Sequence, residues 1–378
     1  MVVTGQRADV LIAGAGIAGS SVAFELAARC SVILLEREAQ PGYHSTGRSA
    51  AMFIETYGTP AVRSLTRASR GFLTRPPDGF TDYPLLAPRG MLHIARPDQR
   101  QALETAERQA SATVRRLCAA DVRALVPLIE PSYVQGGLLE PDAMAIDVSA
   151  LHQGYLRDLR RRGGLLVTDA EIAAVERVGK GWRVETNSGS FEGDVLIDAA
   201  GAWADQVARL AGVAPIGLVT KRRTAILIDP PNDVDAQGWP MVIDVDEQFY
   251  LKPEAGKLLV SPADETPVVP GDVQPEEFDV ARAVNRYERL TGRSVKRVAH
   301  RWAGLRSFVD DEDPVVGPDP EAPSFFWLAG QGGFGIMTAP ALARIAASLI
   351  NTGDADPNSL GLDPARLGPA RLRARLRP

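Results

Sequence analysis

The sequence predicts an α/β fold that carries a second, sheet-built domain, and three observations predict it. The first is an apolar run near the N-terminus, Asp9-Val10-Leu11-Ile12-Ala13, which passes through Gly14-Ala15-Gly16-Ile17-Ala18-Gly19 into a helix-forming segment from Ser20 to Ala28. The second is a pair of later apolar strands, at 194–198 and 325–329, each delivered into a glycine-bearing turn before a helix. The third is the texture of residues 215–300, where alternating strands are separated by proline-rich turns.

The N-terminal stretch carries most of the chemistry. A strand that ends in G-x-G-x-x-G and opens a helix makes a phosphate cradle. Gly14 permits the tight bend, Gly16 lets backbone approach a pyrophosphate, and Gly19 lets helix and strand pack closely. The helix N-terminus then faces the phosphates with unpaired N–H groups. A second strand, Ser31-Val32-Ile33-Leu34-Leu35, ends in Glu36, 22 residues after Gly14. That is the separation expected of an acid that bonds ribose hydroxyls. Glycines also mark ordinary turns, but strand, turn, helix, strand and acid in register specify a dinucleotide site.

Length and composition set the bounds. At 378 residues the chain exceeds one typical core, so two domains are expected. A net charge of −5 argues against a nucleic-acid partner, which favours a basic face. No apolar run of about 18 residues is present, so no membrane-spanning helix is expected. With two cysteines (Cys30 and Cys118) and four scattered histidines, neither a disulfide framework nor a metal site is expected. The N-terminus lacks a basic-then-apolar leader, and the chain reads as cytoplasmic.

After Glu36 and Arg37 comes a polar loop, Gln40 to Ala51, rich in glycine and hydroxyls. It is suited to offering N–H groups and hydroxyls to a cofactor, or else to solvent. Residues 60–73 read as a helix that stops before Pro76-Pro77, and Met91 to Ile94 as a strand. The span Pro97 to Arg115 reads as a charged, exposed helix, and Asp121 to Leu125 as a short one. A strand follows at 136–140, and Asp147 is placed to cap a helix from Val148 to Arg161. Residues 165–167, 171–172 and 182–185 read as strands, the last in a hairpin. The turn Ala199-Ala200-Gly201-Ala202-Trp203 brings backbone close to a ligand, or is simply tight packing. Between 215 and 300 the strands Thr224–Ile228, Phe249–Lys252 and Lys257–Val260 read as an antiparallel sheet with one wet face, followed by a charged helix from Glu276 to Leu290. The strand 325–329 runs into Gly330-Gln331-Gly332-Gly333-Phe334-Gly335-Ile336 and a helix with Pro340 near its first turn. Five arginines lie between Arg366 and Pro378, and they read as a solvated helix face.

In this order the segments resemble the D-amino acid oxidase superfamily of FAD-dependent amine dehydrogenases over essentially the whole chain, and most closely its bacterial D-arginine dehydrogenases. The likeness is carried by the loop at 40–51 (QPGYHSTGRSAA), Lys221-Arg222-Arg223, Phe249-Tyr250-Leu251-Lys252-Pro253 and Trp302-Ala303-Gly304-Leu305-Arg306-Ser307-Phe308. It implies non-covalent FAD on a Rossmann-like domain of separated segments (1–80, 145–205 and 301–378), beside a mixed or antiparallel-sheet substrate domain (81–144 and 206–300). Gly14, Gly16, Ala18, Gly19, Glu36 and Arg37 would hold the dinucleotide, with Ile172 at the adenine and Ala200, Gly201 and Trp203 nearby. Ser45, Thr46, Gly47, Arg48, Ser49, Ala50, Ala51 and Met52 would line the isoalloxazine on one side. Gly332, Gly333, Phe334, Gly335, Ile336 and Met337 would line it on the other.

By the same resemblance Arg223 and Arg306 would hold a substrate carboxylate with help from Tyr250. Tyr57 would stand on a lid loop, Gly333 would offer its carbonyl to the amine, and Met52, Ile54 and Met241 would form the side-chain pocket. Two planar guanidinium forks suit a carboxylate, although either arginine alone would also fit a surface ion pair. Clamping the carboxylate fixes Cα–H against the flavin for hydride transfer. His44 is assigned no chemistry.

The departures from the arginine enzymes bear on specificity. At Pro88-Arg89-Gly90-Met91 this chain lacks the insertion that supplies their acid for a cationic side chain, and Met52 and Ile54 stand where they have His and Thr. A guanidinium buried there would have no partner. Glu55, one residue beyond Ile54 in an extended stretch, faces the opposite side. The expected activity is FAD-dependent oxidation of D-amino acids with apolar or uncharged side chains. Secondary-amine or 2-hydroxy-acid oxidation, retained D-arginine-type activity, and a non-catalytic flavoprotein are the alternatives. The expected partner is a small amino-acid substrate, and the electron acceptor is unassigned.

Overall fold

The computed structural model describes residues 3–110, 112–354 and 364–373. Two eight-stranded sheets form its frame, and a small three-stranded sheet (Met52–Phe53, Leu86–Pro88 and Met144–Ile146) lies with them. In the first sheet the strand Val3–Ala13 is central, parallel to Gly189–Asp198 on one side and to Val32–Leu35 on the other. Leu165–Val167 continues the parallel set, and the hairpin Ile172–Val178/Gly181–Thr186 extends the opposite edge. The second half of Gly189–Asp198 also pairs in parallel with Phe325–Ala329. Val10, Leu11, Ile12 and Ala13 are all buried. A continuous apolar run of this kind is what a strand covered on both faces requires. Helices Ile17–Leu26 and Gly335–Thr352 pack over one face through Val22, Leu26, Leu342 and Ile345. Trp182, Phe325 and Trp327 fill the other.

The second sheet draws strands from two distant parts of the chain. Its order is Val298–Phe308, Val219–Ile228, Lys257–Ser261, Tyr250–Glu254, Met241–Asp244, Met91–Ala95, Gly136–Glu140 and Arg115–Cys118. The sheet is not purely antiparallel, because Met91–Ala95 and Met241–Asp244 run in the same direction. Nor is one face wet. Leu92, Val242, Leu251 and Val260 point toward Ala283, Tyr287 and Leu290 of the helix Glu277–Thr291. The opposite face carries Met91, Met241, Ile243, Tyr250 and Leu259 toward Met52 and Ile54.

Three local expectations are corrected. The span Pro97 to Arg115 is not one helix: a turn at Pro97–Gln99 leads into Arg100–Gln109, and Arg115 already belongs to a strand. Pro340 lies inside its helix, past the first turn, in a segment that starts at Gly335. Of the arginines at the C-terminal end, Arg366 is exposed, but Arg371 and Arg373 are clamps rather than part of a solvated face. Arg371 meets Asp311 at 3.0 and 3.1 Å, and Arg373 meets the buried Asp319 at 2.7 Å. Arg375 and Arg377 lie outside the described residues. Asp147 caps its helix as expected, accepting from the Ala150 N–H at 2.8 Å. Among the described residues no helix is long and apolar enough to cross a membrane, and no cluster of three metal-binding side chains occurs.

The glycine turn fixes how closely the first helix meets the first strand. A Cβ at Gly19 would lie 1.8 Å from the Gly14 carbonyl oxygen, an overlap that only backbone movement relieves. Gly19→Ala should therefore destabilise the protein by about 1–3 kcal/mol or more. Gly71→Ala, in a helix with nothing within 4 Å of the added atom, should stabilise by about 0.5–1 kcal/mol. Urea midpoints of the two variants against the parent check the contrast.

Candidate functional site

One continuous cleft runs from the end of the first sheet to the pocket-facing side of the second. At its first end Gly14 adopts φ 96°, a left-handed value that favours glycine, and its open side is closed by the Ala199 carbonyl. Glu36 is buried, with its carboxylate accepting from the N–H of Ala15 at 2.9 Å and of Glu38 at 3.0 Å. Burial raises the Glu36 pKa despite those two bonds. Arg37 lies over the Trp203 ring at 4.9 Å and reaches Glu171 at 3.0 Å, beside Ile172.

The loop at 40–51 is folded onto this end. Gly47 N–H closes back on the Gly42 carbonyl at 2.7 Å, and Thr46 Oγ1 accepts from the Ile17 N–H at the start of the first helix. His152 bonds the Ala15 carbonyl at 2.8 Å and abuts Gly42, tying the glycine turn to the loop. Ser45 donates to the Leu305 carbonyl at 2.8 Å, which fastens the loop to the second sheet.

At the far end the register of two long strands decides what faces the cleft. Val219–Ile228 pairs antiparallel with Val298–Phe308, so that Lys221 lies opposite Arg306 and Arg223 opposite Gly304. Directly opposed residues share a face, and so do alternate residues along a strand. Lys221, Arg223 and Arg306 therefore project to one side. Arg222 projects to the other, into Asp264, Glu276 and Asp279. Arg306 lies against Gly333, where a Cβ would come within 2.8 Å of Nη1. Its guanidinium has no hydrogen bond or ion pair among the described residues. Arg223 bonds Glu265 at 2.7 Å through Nη2, while its buried Nε has no hydrogen-bond partner among the described residues.

Beside the arginines, Tyr250 joins Met52, Ile54, Met91, Met241 and Ile243 in an apolar wall. Tyr57 packs edge-on against Phe334 at 5.3 Å and donates to Glu247 at 3.0 Å. Burial, then the Glu247 charge, push its phenol up to about 12. Glu55 points away from this wall and pairs with Arg70 at 2.8 Å, as the alternation predicts. A second acid, Glu140, is buried and opposes Met91 in register, so it shares the pocket face. It accepts from Thr56 at 2.5 Å, and burial raises its pKa.

The family of FAD dependent oxidoreductases known as DAO matches residues 9–349. The chain belongs to that family. Human mitochondrial dimethylglycine dehydrogenase is 23% identical over 96% of this chain, and the chain spans less than half (45%) of that protein. Glycine oxidase of Bacillus licheniformis is 22% identical over 91% of this chain and 93% of its own. Among solved structures, glycine oxidase from Geobacillus kaustophilus superimposes with a TM-score of 0.83 at 20% identity, over 96% of this chain and 98% of that one. L-alpha-Glycerophosphate oxidase from Mycoplasma pneumoniae with FAD bound gives 0.83, also at 20% identity, over 95% and 99%.

The cleft of this oxidoreductase fits an extended FAD. A buried acid and an aromatic–guanidinium pair stand at one end, a glycine cradle in the middle, and the turn Gly332-Gly333 with the N-terminus of Gly335–Thr352 at the other. Of the residues predicted from sequence, Gly14, Gly16, Ala18, Glu36, Arg37, Ser45, Thr46, Arg48, Ser49, Ala50, Ile172, Ala200, Gly201, Trp203, Gly332, Gly333, Gly335 and Ile336 line it. So do Arg223, Tyr250 and Arg306. Gly19, Gly47, Ala51, Phe334 and Met337 do not line it and act through packing or loop closure. Met52, Ile54 and Met241 form the adjoining wall, with Tyr57 packed against it.

The Arg48 guanidinium is not offered to a ligand. It bonds the Ala303 and Val273 carbonyls at 2.9 and 3.1 Å and Asp272 at 2.5 Å, pinning the loop across the strand partner of Arg223. Sequence reasoning missed Glu140, Glu247 and Glu265, because each reaches the site from a strand or turn with no motif around it.

Removing either free guanidinium edge should weaken carboxylate binding by roughly 1.5–3 kcal/mol. Arg306→Ala and Arg223→Ala should each lower kcat/KM by about 10- to 150-fold while leaving FAD content at the parent level. Near-normal turnover in both variants would place the substrate elsewhere.

Proposed function

We propose that this oxidoreductase oxidises the Cα–N bond of D-amino acids to imino acids and favours apolar or uncharged side chains. The observation that carries the proposal is the Arg306 guanidinium, against Gly333, and the Nε of Arg223 on the same face of the sheet, both without a hydrogen-bond partner among the described residues and facing an apolar wall. Two unpaired cationic edges call for an anion, and a carboxylate matches both forks. With the carboxylate held there, the side chain is directed toward Met52, Ile54 and Met241, and the amine toward the Gly333 carbonyl. FAD, when bound, supplies the hydride acceptor for Cα–H. Tyr57, tied to Glu247, would cover the pocket and exclude water. The D configuration rests on the motif likeness to D-arginine dehydrogenases.

Two further readings have support. Relatives named glycine oxidase and dimethylglycine dehydrogenase favour glycine or an N-methylated glycine, since the same arginines serve any such carboxylate. Glu140, buried on the pocket face, favours retained D-arginine-type activity. Against that, Glu140 is already bonded to Thr56, and Glu55 is turned away to Arg70.

We further propose that the FAD is held non-covalently. His44, the imidazole of the 40–51 loop, is engaged with Glu38 at 2.8 Å and packs against Trp203 at 4.6 Å with the rings tilted by 51°. Acid precipitation should release yellow FAD into the supernatant, and flavin retained by the polypeptide would contradict this.

An apolar side chain gains about 0.8 kcal/mol per methylene buried, whereas an unpaired guanidinium loses its water without return. kcat/KM for D-leucine, D-methionine or D-phenylalanine should exceed that for D-arginine by about tenfold or more, with L-enantiomers nearly inert. Side-by-side kinetics with D-leucine, D-arginine, sarcosine and a 2-hydroxy acid decide among the readings. A preference for D-arginine would make Glu140 the first residue to substitute.

A further inference from the structure

Glu265 is the acid that occupies part of the arginine cluster. Its Oε1 accepts from Arg223 Nη2 at 2.7 Å, and its Oε2 accepts from Lys221 Nζ at 2.9 Å. Its position is set by backbone rather than by chance. The segment around it is stitched along the strand Val219–Ile228 on both sides. Asp264 accepts from the Thr224 N–H at 2.6 Å and from Thr224 Oγ1 at 3.0 Å. The Arg222 N–H donates to the Thr266 carbonyl at 2.8 Å, and the Val268 N–H to the Thr220 carbonyl at 2.8 Å. Lys221 is in turn braced over the Phe308 ring at 4.8 Å.

We propose that Glu265 is a positioning residue for the substrate carboxylate: by gripping Nη2 it fixes the plane of the Arg223 guanidinium beside Arg306, and the two arginines together form the seat. The inference rests on the carboxylate reading given above. An arginine side chain has several rotatable bonds, and a guanidinium pre-set in one plane loses less freedom when it binds a carboxylate. The competing effect is electrostatic, since the negative charge of Glu265 opposes an incoming anion. That charge is half exposed, at 46%, so solvent screens its repulsion of an anion farther off more than its direct contact with Arg223 at 2.7 Å. Burial alone would raise the Glu265 pKa, but the Lys221 bond and the two arginines outweigh it and hold the carboxyl below its ordinary value. It is therefore ionised under ordinary assay conditions.

The experiment uses holoenzyme and two readouts. The first is the Kd of 4-methylpentanoate (D-leucine without its amine), read by perturbation of the flavin absorbance. The second is the split between KM and kcat for D-leucine. Glu265→Ala should raise both Kd and KM by about tenfold, with a smaller fall in kcat. Glu265→Gln, whose amide oxygen can still accept from Arg223, should recover Kd to within about threefold of the parent. If both variants bind 4-methylpentanoate more tightly, Glu265 is a competing anion and the proposal is overturned. An unchanged Kd in Glu265→Ala also overturns it. Failure of the underlying carboxylate reading looks different: the parent itself would show no response to 4-methylpentanoate that Arg306→Ala abolishes.

Discussion

Everything at the reactive end of the cleft depends on the register between Val219–Ile228 and Val298–Phe308. Ten residue pairs in that ladder fix Lys221 opposite Arg306 and Arg223 opposite Gly304. A slip of one residue between the two strands would leave the arginines on opposite faces, one of them turned to the side where Arg222 occupies an acidic niche with Asp264, Glu276 and Asp279. Three adjacent basic residues thus split between two tasks by the period of a strand. The middle one braces the helix Glu277–Thr291, and its neighbours face the cleft. Gly304 has a local steric reason, since a Cβ there would lie 3.3 Å from the Arg48 Cβ. The loop that lines the cofactor cleft passes over the ladder at that point.

The two sheets are joined through that loop and through Phe308, which shares one buried cluster with Ile17, Phe334 and Ile336. Ser45 and Arg48 reach the Leu305 and Ala303 carbonyls, and Trp302 Nε1 donates to the Arg48 carbonyl at 3.1 Å. On the other side Thr46 and His152 tie the same loop to the glycine turn at Ile17 and Ala15. The glycine turn and the strand that carries Arg306 are therefore held in one frame by hydrogen bonds to backbone, which tolerate little displacement. The buried Nε of Arg223, unpaired among the described residues, is costly in such a frame.

Much of this was legible in the sequence because local signals agreed with the fold. The run from Val10 to Gly19 has one reading as strand, turn and helix, and Glu36 follows at the spacing that a ribose-binding acid needs. The strands 224–228, 250–252 and 257–260 were legible from their alternation, and Asp147 from its position before an amphipathic helix. What the sequence hid was non-local. The parallel pairing of Met91–Ala95 with Met241–Asp244 depends on a contact across some 150 residues. The span after Pro97 has helical charge spacing throughout, yet from Arg115 pairing with Gly136–Glu140 overrides it. Arg48 lines the cleft, and its guanidinium is taken up by the Ala303 and Val273 carbonyls and by Asp272, contacts with no signal in the sequence. The acids Glu140, Glu247 and Glu265 have no motif, and only the folded chain brings them to the site.

The central claim is that a carboxylate clamp, not the amine or the side chain alone, delivers Cα–H to the flavin. The most direct measurement is anaerobic flavin bleaching by D-leucine compared with 3-methylbutylamine, the same molecule without its carboxylate. The account predicts rapid bleaching by D-leucine and bleaching by the amine slower by at least the 10- to 150-fold that one lost charge-assisted contact implies. Equal rates for the two would contradict it, and would show that Arg223 and Arg306 hold something other than the substrate.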